Sequence, residues 1–568
     1  MMNDISLIIC GAAGQGIQTV EQMLVSILKM AGYHGFSTKE YESRVRGGSN
    51  STELRISDHR VNAFVDRIDV LIPFDERAIS HLKNRITEET LIIADQGTIQ
   101  NEGSKDVIGL PFRLKAEEVG SRLYTNVVAI GTVVGLFRAD ISQGEYLLEK
   151  KFSPKGKDIV EENKEALRVG YEMGKRLREE MNLDFNLHPT PAVKEEMLIN
   201  GNEAIALGAM AGGCNFISSY PMSPSTGVLE FLASHARQFG ILVDQAEDEI
   251  AAINKAAAAW FAGARAIVST SGGGFDLMTE GLSLVGMTET PLVIHLAQRP
   301  GPATGLPTRT AQEDLSLAIH AGHGEFCRLI YAPGTIQQAF ELTRKAFNIA
   351  DRYQIPVFIL SDQYFVDSYY NIPMIEIDDN SVEYSFVRTG EGYKRYRLTE
   401  NGLSPRGIPG YGDGLIRVDS DEHDEWGHIT EDLEELRPAM VEKRVQKRRR
   451  LLEGVLELPT VYPEARENYA VCWGSNYHVV KEAVDILKNP DLAMMHFHQV
   501  YPLHKDVVKM VGQAEKVMIF ENNATGQFSD LLSLHTGRQI PYSQRFLSYS
   551  GAPLSVEKVI TALQQEGF

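Results

Sequence analysis

Short apolar runs alternate with longer amphipathic stretches in the first third of this chain. The run DISLIIC at residues 4–10 precedes a glycine-rich turn and a helical stretch, and further runs follow at Val70–Pro73, Leu91–Ala94 and Val107–Leu110. Apolar runs of about 4–8 residues separated by helical stretches are typical of buried strands in βαβ units. The pattern predicts a parallel sheet, followed by a charged helix over Gly156–Met181.

The same alternation resumes further along the chain and then recurs once more. In the middle region, apolar runs predict strands at Cys214–Ser219, Ile241–Asp244, Ala266–Thr270, Leu292–Leu296 and Val357–Leu360, with helices over Gly227–Phe239 and Asp248–Ala262. In the last hundred residues, the runs Tyr469–Trp473 and Lys516–Glu521 predict two more strands. The pattern therefore predicts an α/β fold with three α/β domains in series.

A chain of 568 residues is longer than one hydrophobic core usually fills, which agrees with several domains. We expect a first domain over residues 1–181, a proline-containing linker over 182–193, a second domain over 194–376 and a third over 466–568. Residues 377–465 read as a charged excursion followed by one charged helix. Its basic run Lys443–Arg450 is expected to pair with the acidic segment Glu431–Glu435 or with a partner subunit.

Charge and cysteine content narrow the functional classes. The formal net charge is −20, which argues against nucleic acid or anionic lipid as the main partner. The four cysteines lack any C-x-x-C spacing, so we expect no metal or iron–sulfur site in this chain, and a reduced, cytoplasmic setting. The sequence shows neither an export signal nor an apolar run long enough for a membrane span.

Two glycine-rich loops in the first domain are candidate anion sites. Gly11–Gly16 lies between a predicted strand and helix, and Arg44–Gly48 adds two cations. A tight turn without a ligand explains the first loop equally well, and Ala13 stands where a dinucleotide fingerprint needs glycine. The candidate residues for binding an anion are Gly14, Gln15, Gly16, Arg46 and Gly47.

In the second domain, two loops after predicted strands carry hydroxyl groups. Tyr220–Thr226 (YPMSPST) offers hydroxyls on a backbone stiffened by two prolines, although helix capping by Ser225 or Thr226 is an ordinary alternative. Ser269–Gly274 (STSGGG) is typical of an anion nest or a close-approach turn. Both loops are candidate binding segments.

Three carboxylates, Glu247, Asp248 and Glu249, precede an alanine-rich helix. Favourable interaction with the helix dipole, worth up to about 1 kcal/mol each, accounts for two of them. Small residues after Glu249 would allow its burial, and a buried carboxylate can hold a proton or share one with a heterocycle nitrogen.

The proline- and glycine-dense stretch Arg299–Thr310 (RPGPATGLPTRT) follows an apolar strand and must form a shaped loop. Its cations Arg299 and Arg309 suit a carboxylate or a phosphate. A second cluster, Asp421–His428, has the composition of a metal site, but a solvated charged loop is the more economical interpretation.

Together these stretches resemble the α-subunit of 2-oxoacid:ferredoxin oxidoreductases with a fused γ domain. These are thiamine-diphosphate enzymes that oxidatively decarboxylate 2-oxoacids onto coenzyme A (CoA), and the glycine-rich loops of the first domain are candidates for binding it. The resemblance implies, in order, a γ-type domain, a pyrimidine-binding domain and a transketolase C-terminal-like domain. It rests on Gly11–Gly16, Arg44–Gly48, Tyr220–Thr226, Gln245–Ala251, Ser269–Gly274, Arg299–Thr310, Pro409–Gly414, Asp419–Asp424, Trp473–Ser475 and Glu521–Gln527.

The resemblance also implies residue roles. Glu249 would bond the aminopyrimidine ring and promote deprotonation of the thiazolium carbon, and Ser223 and Arg299 would contact the 2-oxoacid, with Arg309 as a second cation. Ser223 stands where the family more often has threonine, which alters the pocket shape. The remaining cofactor-binding candidates are Tyr220, Pro221, Ser271 and Gly272.

The sequence lacks a GDG-plus-Asn magnesium motif with a suitable helix, and it lacks a cysteine cluster. In the family both belong to a β-subunit, so the resemblance implies thiamine diphosphate at an α–β interface, with Mg²⁺ and a [4Fe-4S] cluster in the partner chain. It also implies an (αβ)₂ heterotetramer, ferredoxin as acceptor and activity only with the β-subunit. We expect 2-oxoglutarate as substrate; another 2-oxoacid (aromatic, branched or pyruvate) and a non-catalytic CoA- or nucleotide-binding scaffold are the alternatives.

Overall fold

The computed structural model of the protein describes residues 4–12, 17–41, 49–96, 107–377 and 382–568. The chain forms two compact units. The first comprises Met1–Ile199 with Asp367–Met374, and the second comprises Asn200–Val366 with Ile375–Phe568. The domain limits expected from the sequence stay predictions.

The strands and helices of the first two hundred residues are, in chain order, β1 (Asp4–Ala12), α1 (Ile17–Ala31), β2 (His34–Glu40), β3 (Ser49–Ser57), β4 (Val70–Pro73), α2 (Glu76–Leu82), β5 (Leu91–Asp95), β6 (Val107–Leu110), α3 (Phe112–Val119), α4 (Thr125–Leu136), α5 (Ile141–Phe152), α6 (Lys157–Glu180) and β7 (Met197–Asn200).

The following elements are α7 (Gly201–Ala211), β8 (Phe216–Ser219), α8 (Thr226–Phe239), β9 (Leu242–Gln245), α9 (Glu249–Phe261), β10 (Ala266–Thr270), α10 (Gly272–Leu277), α11 (Thr279–Thr288), β11 (Leu292–Gln298), α12 (Leu315–His320), β12 (Leu329–Tyr331), α13 (Ile336–Tyr353), β13 (Pro356–Asp362), α14 (Gln363–Asp367) and β14 (Tyr369–Ile372).

The remaining elements are α15 (Leu436–Gly454), β15 (Thr460–Tyr462), β16 (Asn468–Trp473), α16 (Tyr477–Leu487), β17 (Leu492–Phe497), β18 (Gln499–Tyr501), α17 (Val507–Gln513), β19 (Lys516–Glu521), α18 (Gln527–Thr536), β20 (Arg545–Leu547) and α19 (Val556–Gln565).

The first unit is built on one mixed sheet of order β6-β5-β4-β1-β3-β2-β14-β7. Successive side chains of β1 face opposite sides of the sheet, so Leu7 and Ile9 join the larger apolar core while Ile8 and Cys10 join the smaller one. The predicted parallel sheet is wrong for β2 and β3, which pair antiparallel with each other, as β3 does with β1. Their polar sequences, HGFSTKE and SNSTELRIS, hide them from a search for apolar runs.

The second unit contains two sheets. The larger has the order β18-β12-β13-β11-β10-β8-β9, and all its neighbouring strands are parallel except the pair β12–β18. The smaller has the order β15-β17-β16-β19-β20. These sheets, with the sheet of the first unit, confirm the predicted α/β class.

The charged helix α15 is held by buried ion pairs rather than by the acidic segment expected from the sequence. Lys443 and Lys447 both contact the carboxylate of Glu289, and all three side chains are almost fully buried. Arg444 instead pairs with Glu422 at 2.9 Å. The expected pairing of these residues with Glu431–Glu435 is wrong, because α15 packs inward on the body of the second unit.

The cluster Asp421–His428 is only partly the solvated loop that the sequence indicated. Glu422 pairs with Arg437 and Arg444, and His423 is fully buried, with its ring tilted against that of Tyr396 at a centroid distance of 3.8 Å. In the described part of the chain, no group of three or more histidine, cysteine or acidic side chains is arranged to hold a metal ion. The buried members of the cluster therefore anchor the excursion.

None of the described helices combines the length and apolar composition needed to cross a membrane.

Candidate active site

The sequence-predicted binding loops of the second domain lie at one edge of the larger sheet of the second unit. Strands β8, β10, β11 and β13 run parallel, so their carboxyl ends meet at the same edge. The chain passes from β8 to its neighbour β9 and then returns to β10 on the other side of β8. Ligands of open α/β sheets bind in the crevice outside such a reversal.

The three carboxylates before helix α9 have different environments. Asp248 caps the helix, because its Oδ1 accepts a hydrogen bond of 2.7 Å from the backbone N–H of Ala251. Glu247 pairs at the surface with Lys255 at 3.0 Å. Glu249 is only 3% exposed, and its Oε1 has no hydrogen-bond partner among the described residues. A buried carboxylate oxygen left unpaired is costly, which indicates a ligand group at this position.

The glycine run after β10 makes room for this carboxylate. A Cβ on Gly274 would stand 2.5 Å from Glu249 Oε1 and 2.3 Å from Thr270 Oγ1. A Cβ on Gly272 would stand 2.5 Å from Asp314 Oδ2. Ser271, which precedes Gly272, is buried, and its Oγ makes no hydrogen bond to any described residue. The glycine run therefore brings together three buried polar atoms that have no hydrogen-bond partner among the described residues: Glu249 Oε1, Ser271 Oγ and Asp314 Oδ2.

The loop Tyr220–Thr226 is fixed by hydrogen bonds from serine hydroxyls to backbone carbonyls rather than by side-chain capping of the helix. Ser225 precedes helix α8, but its hydroxyl donates to the Met222 carbonyl at 2.8 Å and makes no cap hydrogen bond. The Ser269 hydroxyl donates to the Ser225 carbonyl at 3.1 Å. The alternative interpretation of Ser225 as a helix cap is therefore wrong, and the loop is tied to the end of β10.

Arg299 and Ser223 meet at the mouth of the crevice. The Nη1 of Arg299 donates a hydrogen bond of 2.6 Å to the backbone carbonyl of Ser223, and the side chains of Ser223 and Tyr220 are exposed beside Pro221. Partial burial lowers the pKa of the Arg299 guanidinium, and the nearby Asp314 carboxylate opposes that shift. The cation stays charged at any ordinary pH, since its pKa starts above 12.

A cavity of about 380 Å³ opens beside Arg299. Its lining residues include Arg299, Gly272, Asp314, Asn523 and Gln527. The last two follow strand β19, so the cavity lies between the larger and the smaller sheet of the second unit. Its volume is within the range of small-molecule sites, about 300–1,000 Å³.

The loop after Arg299 is held by a tight internal turn. The backbone N–H of Gly301 donates to Glu313 Oε2 at 2.9 Å, and that of Leu306 donates to the Pro300 carbonyl at 3.0 Å. Gly305 has a φ of +50°, and a Cβ there would stand 1.8 Å from the Pro300 carbonyl oxygen. Only glycine fits this position without moving the backbone.

The end of the loop is joined to the smaller sheet by Gln312, which is fully buried. Its side-chain amide donates to the Trp473 carbonyl at 3.0 Å and accepts from the Asn522 backbone N–H at 3.1 Å and from Asn476 at 3.2 Å. Arg309 lies on this same side, since the neighbouring Thr310 N–H donates to the Gly551 carbonyl at 3.1 Å. The loop therefore bridges two sheets, and Arg299 and Arg309 lie in different surroundings.

A buried carboxyl reinforces that bridge. Asp362, at the end of β13, accepts hydrogen bonds from Thr310 at 3.1 Å and from Ser475 at 2.5 Å. Burial raises the pKa of the Asp362 carboxyl to about 6, against the effect of these hydrogen bonds. The carboxyl thus joins the loop to the start of the segment after β16.

Sequence reasoning overlooked three residues of this site: Asn202, Gln312 and Asp314. The side chain of Asn202 donates to the carbonyls of Pro224 and Val366, and a Cβ on Gly227 would stand 2.6 Å from its Nδ2. Gln312 and Asp314 stand directly after the proline-rich loop, in the polar run Gln312–Asp314. That run was the one available signal, because their contacts all come from distant parts of the chain.

The glycine-loop candidates of the first domain, Gly14, Gln15, Gly16, Arg46 and Gly47, lie outside the described residues. Their assignment to an anion or CoA stays a prediction. The substrate or cofactor roles of Tyr220, Pro221, Ser223, Ser271, Gly272, Glu249, Arg299 and Arg309 also stay predictions.

Comparison with known proteins agrees with the fold. A family described as "Pyruvate ferredoxin/flavodoxin oxidoreductase" matches residues 6–173, and one described as "Pyruvate flavodoxin/ferredoxin oxidoreductase, thiamine diP-bdg" matches residues 207–443. The 2-oxoacid:ferredoxin oxidoreductase subunit alpha of Sulfolobus sp is 31% identical, with 98% of this chain and 96% of that protein aligned. The 2-oxoglutarate synthase subunit KorA of Archaeoglobus fulgidus is 32% identical over 66% of this chain and 99% of its own length.

One solved structure is similar over the whole length. The 2-oxoglutarate:ferredoxin oxidoreductase from Magnetococcus marinus, solved with 2-oxoglutarate, coenzyme A and succinyl-CoA bound, superposes with a TM-score of 0.91. It is 28% identical, and the match covers 100% of both chains.

The fold and the matching families define a subunit of an oxidoreductase with a thiamine-diphosphate-binding domain. The chain belongs to the 2-oxoacid:ferredoxin oxidoreductase α-subunit family. The resemblance stated from the sequence is thereby confirmed, as is the enzyme class. The relatives' description as alpha subunits indicates that the enzyme has several subunits.

Proposed function

We propose that this chain supplies one half of a thiamine-diphosphate site for the CoA-dependent oxidative decarboxylation of 2-oxoglutarate. In the balanced reaction, 2-oxoglutarate and CoA give succinyl-CoA, CO₂ and one proton, while two electrons pass to ferredoxin. The observation that carries the proposal is the buried Oε1 of Glu249 beside Gly274, which has no hydrogen-bond partner among the residues that the structure describes.

The residues around Glu249 fit the aminopyrimidine of thiamine diphosphate. Its carboxyl is buried at the end of the crevice, and Gly274 passes so close to it that a Cβ there would stand 2.5 Å from Oε1. When bound, thiamine diphosphate supplies a carbon nucleophile and an electron sink for decarboxylation. Glu249 would share a proton with a ring nitrogen, because a heterocycle N is the partner that its Oε1 lacks. Ser271 Oγ is a second polar group suited to the same ring.

The substrate end of the proposed site lies at Arg299. A guanidinium offers a fork of N–H donors that matches a carboxylate, and one of these donors already fixes its position by bonding the Ser223 carbonyl. The remaining donors would hold the carboxylate of the 2-oxoacid, with the Ser223 hydroxyl beside the carbonyl. The choice of 2-oxoglutarate is supported by the relatives described as 2-oxoglutarate synthase and by the solved enzyme with bound 2-oxoglutarate.

The other half of the site would belong to a β-subunit. The sequence has neither clustered cysteines nor a GDG motif with a suitable helix, so the diphosphate, its Mg²⁺ and the [4Fe-4S] cluster are assigned to that partner. We propose an (αβ)₂ assembly with ferredoxin as acceptor. The chain purified alone is expected to be inactive.

The test is a kinetic panel on the chain co-expressed with its β-subunit. We expect kcat/KM for 2-oxoglutarate to exceed that for pyruvate, branched and aromatic 2-oxoacids at least tenfold. A tenfold preference for another acid would overturn the substrate assignment. Failure to oxidise any of them would favour a non-catalytic CoA- or nucleotide-binding role, and turnover by the chain alone would overturn the shared-site account.

The Arg299→Lys variant tests the substrate end within that panel. Lysine keeps the charge but loses the paired donors, so KM for the 2-oxoacid should rise at least tenfold. An unchanged KM would remove Arg299 from the proposed site.

A further inference from the structure

Asp314 lines the cavity beside Arg299, but the proposed reaction gives it no role. Asp314 immediately precedes helix α12, yet its side chain makes no capping hydrogen bond there, in contrast to Asp248 before α9. Its backbone N–H donates to Gln298 Oε1 at 3.0 Å, which fixes the residue at the end of β11. The backbone of Asp314 is thus held in place, while its carboxyl does not cap the helix.

The carboxyl of Asp314 points at the glycine run. A Cβ on Gly272 would stand 2.5 Å from its Oδ2 and 2.6 Å from its Oδ1. Oδ2 is buried and has no hydrogen-bond partner in the described ranges of the chain. Asp314 and Arg299 line the same cavity of about 380 Å³. A carboxyl so placed must face whatever occupies that cavity.

The charges around the cavity make an ionised Asp314 unfavourable for an anionic ligand. Arg299 is the cation among the residues that line the cavity, whereas Asp276, Glu313 and Asp314 each contribute a carboxyl. Asp276 is exposed, so water screens it, and Glu313 is engaged with the Gly301 N–H. Of these three carboxyls, Asp314 is the one with a buried oxygen that has no hydrogen-bond partner among the described residues. A carboxylate ligand at Arg299 would meet strong repulsion from it unless Asp314 were neutral.

The surroundings of Asp314 shift its carboxyl towards the neutral form. Burial, with smaller contributions from Glu313 and Asp276, raises the pKa of the Asp314 carboxyl to about 7, and Arg299 opposes the shift. A neutral carboxyl carries an O–H that can donate a hydrogen bond. The group that would repel a carboxylate when ionised would bind it when protonated.

We propose that Asp314 is a specificity-determining residue of this site, donating a hydrogen bond from its protonated carboxyl to the carboxylate of the 2-oxoacid held at Arg299. This inference rests on the proposed function, since it requires a 2-oxoacid in the cavity. It adds a pH dependence: as pH rises through the pKa of Asp314, the donor becomes a repelling charge and affinity for the 2-oxoacid falls.

The experiment uses the co-expressed complex and 2-oxoglutarate between pH 6.0 and 8.5. For the wild type, KM should rise about thirtyfold over this range, since only the protonated form binds, KM then rises tenfold per pH unit above the pKa, and pH 8.5 lies about 1.5 units above it. In Asp314→Asn, the amide keeps an N–H donor and cannot ionise, so KM should change less than twofold. In both proteins kcat should follow the same pH profile. Calorimetric binding of 2-oxoglutarate without CoA should show the same contrast.

Asp314→Ala removes the donor altogether, and its KM at pH 6.0 should be about tenfold above that of the wild type. Should this variant fail to assemble, Asp314→Asn decides alone, because it is nearly the same size as the native residue. The proposal is overturned if Asp314→Asn retains the wild-type rise in KM, or if kcat falls while KM stays unchanged. Failure of the proposed function would give other results than failure of the Asp314 proposal. In that case the wild-type complex does not oxidise 2-oxoglutarate, or Arg299→Lys leaves KM unchanged.

Discussion

Glu249 and Gly274 are so close that a methyl group on the glycine would stand 2.5 Å from the buried Glu249 Oε1. The first residue of helix α9 and the glycine run after β10 therefore form one unit of the site. The contact explains why position 274 is occupied by glycine. It also offers a way to disturb the carboxylate without removing it.

Gly274→Ala should displace the Glu249 carboxyl and lower the activity of the αβ complex by at least a hundredfold. The reason is steric, because a heavy atom 2.5 Å from a carboxylate oxygen and 2.3 Å from Thr270 Oγ1 is not tolerated in a close-packed site. The matched control is Gly273→Ala, whose Cβ would meet only the Ala303 carbonyl oxygen, at 3.5 Å. We expect the control to stay within about fivefold of the wild type. Equal losses in both variants would contradict the assigned contact.

The sequence predicted a good part of this site, for physical reasons that can be named. Burial of Glu249 followed from the small residues after it in α9, and the shaped loop at Arg299 followed from its prolines and glycines. Both signals are local. The orphan oxygen of Asp314 and the network of Gln312 depend on residues far away in the chain, such as Gly272 and Asn522, and no local pattern encodes such contacts.

The same limit explains the errors in the fold. Strands β2 and β3 are half polar, so an apolar-run search misses them and the antiparallel half of the first sheet. The basic run of α15 was expected to find nearby acids, but Glu289 lies 154 residues away from Lys443. The charge partners of a residue depend on how distant segments pack together, and the sequence around that residue does not encode this packing.

Glu289→Gln should destabilise the second unit by about 3–5 kcal/mol, the cost of leaving buried charge uncompensated. The variant leaves the ammonium groups of Lys443 and Lys447 without their anionic partner, and these side chains are only 1–4% exposed. These cations lower the pKa of the Glu289 carboxyl, although burial opposes the shift, so the carboxylate contributes stability that is lost as pH falls. The check is the free energy of urea unfolding at pH 7.

The control for Glu289→Gln is Glu442→Gln, which breaks a surface pair with Arg449 in which both side chains are 57% exposed. Such pairs contribute about 0–1 kcal/mol. A loss of similar size in the two variants would argue against the buried cluster as the anchor of α15.

Gln312→Ala should weaken the bridge between the proline-rich loop and the smaller sheet. It leaves the Trp473 carbonyl and the Asn522 N–H unpaired in a buried setting, at a cost of about 1–3 kcal/mol each. Because the loop also carries Arg299, we expect KM for the 2-oxoacid to rise more than kcat falls. The exposed Gln337→Ala on α13 is the control. Unchanged stability and KM in Gln312→Ala would refute the bridging role.

Asp362 should make the stability of the second unit depend on pH. Its pKa is raised to about 6 in the fold, above the ordinary value near 3.9, so the folded state binds the proton more tightly. Stability contributed by this group is therefore fully present below about pH 4 and falls as pH rises towards 6. Asp362→Asn should flatten the change in urea midpoint between pH 4 and pH 6.5. An unaltered slope would show that another group is responsible.

The central claim is that Glu249 supplies the carboxyl of a thiamine-diphosphate half-site. The most direct measurement compares Glu249→Gln with Glu247→Gln, an exposed carboxylate two residues earlier that pairs with Lys255. Each variant is co-expressed with the β-subunit and assayed for CoA-dependent ferredoxin reduction with 2-oxoglutarate. The account predicts at least a hundredfold loss of kcat/KM for Glu249→Gln and less than a threefold change for Glu247→Gln. Near-full activity in Glu249→Gln would contradict it.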